Sequence, residues 1–94
     1  MRIAKVIGNI WSTRKEESLN GLKLLVVQPI NIVDGKNDKV PMIAADTIGA
    51  GVGERVIIVN GSSARSAVGD MNTPVDATVV GIVDDQEIHP ELLE

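Results

Sequence analysis

Apolar residues along the chain come in short runs, rich in valine and isoleucine, set apart by glycine, asparagine, aspartate and proline. That texture predicts a small all-β fold, because β-branched side chains suit a pleated surface and the intervening residues form turns. Five runs read as strands. In the first, Arg2 to Ser12, Ala4, Val6 and Ile10 share one face while Ile3, Ile7 and Trp11 share the other, so both faces are partly buried. Gly8 marks a bend or bulge within it. The second, Leu22 to Gln28, is almost continuously apolar and predicts a central strand covered on both sides, whose ladder ends at Pro29.

The third strand, Val40 to Asp46, follows a polar loop from Asn31 to Lys39 in which Asp34-Gly35 signals a turn, so the second and third strands pair. Arg55 to Asn60 and Ala77 to Asp84 are the fourth and fifth. Between these two lies the one helical stretch, Ala64 to Val68, with Ser62 or Ser63 as the capping side chain and Gly69 as the terminator. Five strands with one short helix between strands four and five predict a closed or nearly closed OB-like β-barrel, an arrangement that leaves few exposed edges. Residues 1–84 form the barrel domain. Residues 85–94 are an acidic, exposed tail whose Ile88, Leu92 and Leu93 either fray in solvent or dock on a neighbouring subunit.

Length supports a single unit, since 94 residues bury only about 60 to 65 % of the unfolded surface and do not fill two cores. Trp11 is the only aromatic side chain in a chain that is 44 % apolar, so the core is aliphatic. A core of that size supplies only about 3 to 5 kcal/mol, and with no cysteine there is no disulfide to add to it. Oligomerisation is the remaining support. A formal charge of −4 argues against a protein that neutralises phosphates or coats an anionic bilayer. The opening Met1 to Val6 carries charge inside its apolar stretch with no cleavage site after it, and no apolar run approaches the ~20 residues of a membrane span. These features predict a cytoplasmic protein without a membrane partner, in which Asn60-Gly61-Ser62 is a turn and not a glycosylation site.

The candidate chemistry is sparse. Gly49-Ala50-Gly51-Val52-Gly53 has the composition of a phosphate-binding turn, but a strand follows it where a helix is needed, and no Lys-Ser or Lys-Thr pair is present. The alternative is backbone freedom: glycines that take positive φ or approach another backbone, at a tight turn or a symmetry axis. Ser62 and Ser63 lack the nucleophile-elbow pattern, and the only histidine, His89, lies in the tail. Without cysteine a metal site would be all-oxygen, and the acidic residues show no calcium-loop spacing. Nothing singles out one carboxylate pair for hydrolysis. An OB-like module for single-stranded nucleic acid is the alternative function, yet such sites stack bases on several aromatic side chains in a basic groove. Trp11 reads better as a core or interface anchor than as a stacking platform.

Five ordered segments carry a resemblance: M-R-I-A-K-V-I-G with S-T-R-K after the first strand, G-L-K-L-L-V-V-Q-P, A-A-D-T-I-G-A-G-V-G-E, V-N-G-S-S-A-R, and P-V-D-A-T-V-V-G-I-V-D. Spanning Met1 to Asp84, they resemble the EutN/CcmL family, the pentameric vertex proteins of carboxysomes and other bacterial microcompartments. The resemblance implies a structural protein with no catalytic residue and no cofactor, a homopentamer placed where five rather than six shell units meet. The partners it implies are hexameric shell proteins, with encapsulated enzymes as a further candidate. It also places expectations on residues. Ile48, Gly49, Ala50 and Gly51 either crowd the five-fold axis or form an ordinary tight turn. Asp46, Ser62, Ser63, Arg65 and Trp11 are candidates for the subunit interface, with Asp46 one carboxylate that Arg65 could reach; the other reading of Arg65 is a solvated surface side chain.

Overall fold

The structure is a computed structural model, and it describes residues 1–12 and 15–93. Thr13 and Arg14 of the S-T-R-K stretch and Glu94 of the tail lie outside the described residues. Strands β1 (Arg2–Ile10), β2 (Lys23–Pro29), β3 (Met42–Asp46), β4 (Arg55–Asn60) and β5 (Ala77–Val83) close a barrel in the order β1-β2-β3-β5-β4. Every neighbouring pair is antiparallel except β3 and β5, which close the barrel in parallel through Ala45↔Thr78 and Asp46↔Val79. Closure leaves little free sheet edge, as expected from the strand count.

The interior is aliphatic throughout. Ala4, Val6, Leu25, Val27, Ala44, Val56, Ile58, Ala77 and Val79 form one buried cluster, joined by Ala50 from the loop after β3 and flanked by Met42 and Ile82. Inward residues alternate with outward ones along each strand, the period-2 pattern that makes a short β-rich sequence legible. In β1 that pattern is interrupted. Val6 pairs with Val27 but Gly8 pairs with Val26, leaving Ile7 as an extra residue. The bulge near Gly8 is as expected, but its consequence is not: the extra residue resets the parity, so Ile10 pairs with the half-buried Leu24 and leaves the Ala4 and Val6 face. Strand β1 also stops at Ile10, and Trp11 beyond it is 87 % exposed, so Trp11 is not a core anchor of its own barrel.

The hairpin loop between β2 and β3 turns at Asp34-Gly35 as the sequence predicts. Gly35 has a φ of 72°, the Asn31 carbonyl accepts its amide at 2.8 Å, and the Asp34 carboxylate accepts the Lys36 amide at 2.9 Å. The helix, α1, spans Gly61–Ala67, starting earlier than Ala64. Asn60 occupies the N-cap position without a side-chain cap, and Ser62 and Ser63 lie inside the first turn, so neither serine caps. The anchor is instead the Asp76 carbonyl, which accepts the Gly61 amide at 3.0 Å and the Asn60 Nδ2 at 3.1 Å. Gly69, at φ 87°, ends the helix where expected. Such a short helix depends on tertiary contact: Ala64 is fully buried and its carbonyl accepts the Thr78 hydroxyl at 2.9 Å. Among the described residues no helix is long and apolar enough to cross a membrane.

Candidate functional site

The loop from Thr47 to Glu54 is densely hydrogen-bonded, and the residues that bound it build it. Asp46, 2 % exposed at the end of β3, accepts the amides of Ile48 at 2.8 Å, Gly49 at 3.2 Å to each oxygen, and Ala50 at 2.8 Å. The Glu54 carboxylate accepts the next amide, that of Gly51, at 2.7 Å. Lys23 Nζ on β2 donates to the Ala50 carbonyl at 2.7 Å. Two carboxylates and one ammonium thus satisfy four successive amides and a carbonyl, which fixes a glycine-rich loop that would otherwise be loose. The Ala50 methyl plugs the barrel core, while Ile48 and Val52 remain 48 % and 60 % exposed.

The glycines of this loop do different jobs. Gly49 and Gly53 have φ of 101° and 95°, a region that disfavours any side chain. Gly51 does not have positive φ, and a Cβ there would meet only the flexible Glu54 Oε1, at 3.4 Å. Nothing within the chain therefore demands glycine at 51.

Asp46, one carboxylate that Arg65 could reach, is buried within the isolated chain with both oxygens accepting from its own loop. Asp46 is a loop organiser. Arg65 is half-buried on α1 and has no hydrogen-bond or ion-pair partner among the described residues. Ser62 and Ser63 are exposed and line a groove of about 570 Å³ with Val59, Met71 and Val80. Glu54 and Lys23 went unnoticed in the sequence; the cue available was a carboxylate on each side of the glycine run.

The exterior of the barrel is unusually apolar, on two faces. On β1, β4 and β5, Ile3 pairs with Ile57, and Val59 and Val80 continue the patch toward Met71. On β2 and β3, Val26 pairs with Ile43, 51 % exposed, and Leu24 with Ile10, beside the exposed Trp11. The strand order sets β4 between β1 and β5, so β2 and β3 lie across the barrel from it. The chain thus carries two dissimilar apolar faces on opposite sides. The histidine has only tail partners: Glu87 at 2.7 Å and Glu91 at 3.3 Å.

Comparison with known proteins is consistent with this geometry. Residues 1–84 match the family described as "Ethanolamine utilisation protein EutN/carboxysome". The bacterial microcompartment shell vertex protein GrpN of Rhodospirillum rubrum is 49 % identical over 90 residues, covering 93 % of this chain and 97 % of that protein. The carboxysome shell vertex protein CcmL of Synechococcus elongatus is 49 % identical over 84 residues, 89 % of this chain and 84 % of that one. Among solved structures, the GrpN pentameric microcompartment shell protein from Rhodospirillum rubrum superposes with a TM-score of 0.84 at 46 % identity, over 95 % of this chain and all of that one. An ethanolamine utilization protein, EutN, gives 0.88 at 43 % identity, over 94 % and 91 %.

Proposed function

The chain belongs to the EutN/CcmL family, and from that premise we propose that it forms homopentamers that cap the vertices of a bacterial microcompartment shell. The observation that carries the reading is the pair of unlike apolar faces on opposite sides of the barrel. A two-fold dimer joins like to like, whereas a closed ring needs each subunit to offer two different, complementary surfaces. Contiguous exposed apolar side chains such as Ile10, Trp11 and Ile43 mark an association surface. The work is geometric: pentamers supply the curvature that lets a flat layer of hexameric shell proteins close around the enzymes inside it, within the cytoplasm. No catalytic step or cofactor enters.

In this reading the Ile48–Gly51 loop stands at the five-fold axis. What supports the placement is that Gly51 has no reason of its own chain to be glycine, while crowding by four other copies would supply one. Trp11, Ser62, Ser63 and Arg65 belong to the subunit contacts, each exposed or unpartnered in the isolated chain. The nucleic-acid alternative gains nothing from the structure, since the one exposed aromatic sits at the end of β1 on a chain of net charge −4.

Native mass spectrometry of the purified chain tests the proposal. Five copies are expected across a wide dilution range; a monomer at high concentration would remove its physical basis.

A further inference from the structure

The outer face of β1 and β4 contains a feature that the ring alone does not explain. Lys5 and Arg55 are directly opposite across the two strands, one step along the same face from the Ile3–Ile57 pair. Like charges in that position repel, and among the described residues neither has a carboxylate partner; Arg55 donates only to the Gln86 side chain, at 3.2 Å. Two grooves open beside them. One, of about 470 Å³, is lined mainly by Ile3, Ile30, Ile32 and Ile57, together with Arg2 and Asp38, which pair with each other; the other, of about 520 Å³, has Lys5, Ile7, Ile30 and Arg55 in its wall. An apolar slot next to two unpaired cations calls for an occupant that is both apolar and acidic.

The chain itself contains such a segment. From Glu87 to Leu93 it combines two acids, Glu87 and Glu91, with three aliphatic residues, Ile88, Leu92 and Leu93, of which the two leucines are 77 % and 61 % exposed. Glu87 and Glu91 pair only with His89 between them. Its root is held on this same face, where Gln86 Nε2 donates to the Ile32 carbonyl at 3.0 Å, and the grooves stay open beside that root. Once its single 3-10 turn extends, the six residue steps from Gln86 to Leu92 reach about 20 Å, close to the 22–23 Å width of the molecule and hence to the next subunit in a ring.

We infer that the segment Glu87–Leu93 of one subunit docks on the β1/β4 face of its neighbour, with Leu92 among Ile3, Ile30, Ile32 and Ile57 and Glu91 against the Lys5–Arg55 pair. The inference rests on the pentamer proposed above, with Val59, Val80 and Met71 as the part of this face that meets the neighbouring barrel and Ile3 and Ile57 as the part the tail covers, and it makes the tail a strap that links each subunit to the next.

The absence of cysteine makes the test direct. Ile32→Cys and Leu92→Cys are combined in one chain, and the protein is oxidised at low concentration and run on a denaturing gel, with its native mass measured in parallel. A ladder of two to five covalently joined chains is expected, absent from either single variant. A bond only within one chain, or none while the native mass remains pentameric, overturns the strap and leaves the ring intact. A monomeric native mass removes both. Independently, the double variant Leu92→Asp, Leu93→Asp should raise the concentration at which pentamers dissociate by about tenfold or more, since burial of one leucine is worth at least that factor. An unchanged dissociation concentration refutes the docking.

Discussion

Asp46→Ala removes one carboxylate and with it the acceptor of three successive amides. Two of those bonds, to Ile48 and Ala50, are 2.8 Å long and made to a charged group. Such bonds contribute about 1.5 to 3 kcal/mol each, and an orphaned buried amide costs a similar amount. Ile48 and Gly49 are exposed enough for water to replace the lost acceptor, but Ala50 is fully buried, and its N–H has nowhere to turn. The expected loss is therefore roughly 3 to 5 kcal/mol, a large part of the 5 to 15 that holds a typical domain. For a domain of this size that lowers Tm by about 15 to 30 °C. Asp46→Asn should fall about halfway, because one oxygen remains while an NH₂ group is turned against amide donors. Thermal unfolding followed by far-UV circular dichroism reads this, at one fixed protein concentration because assembly raises apparent stability by mass action. A loss below about 1 kcal/mol for the alanine variant would refute the role assigned to the carboxylate.

Gly51→Leu separates axis from turn: the subunit should retain its β-sheet spectrum, since the local backbone accepts a side chain, while native mass spectrometry shows the pentamer lost. An intact pentamer would place the loop away from the axis. Trp11 is the sole aromatic residue, so its fluorescence reports its surroundings without labelling; the emission should shift to the red when pentamers are diluted into subunits, and a constant spectrum would place the indole outside the interface. Arg65→Ala should raise the dissociation concentration of the pentamer about tenfold, as for a charge-assisted hydrogen bond lost at a partly buried site. No change across dilution would return Arg65 to the solvated surface.

Much of the barrel was legible because strand identity is written in neighbours two residues apart. Val56 and Ile58 in β4, or Leu25 and Val27 in β2, announce an inward face wherever the strand sits. Turn positions were equally local: Gly35 and Gly69 stand where the backbone needs a positive φ. The aliphatic core and the lack of catalytic equipment followed from composition. Glu54 and Lys23 escaped notice because a carboxylate or ammonium that serves backbone groups in a loop has no periodicity to announce it.

Other properties belong to the tertiary structure alone. The side on which Ile10 lies depended on one extra residue at Ile7, which only the register against β2 reveals. The engagement of Asp46 with its own loop depends on where the closing β3–β5 pair leaves its carboxylate, buried beneath four hydrogen bonds from three amides. The two outer faces became opposite only when the strands closed in the order β1-β2-β3-β5-β4, a sum of long-range pairings that no local window contains. The sequence by itself thus determined which segments are strands and what fills them. The closure of the barrel decided which surfaces remain for other copies to cover, because exposure depends on the positions of all five strands at once.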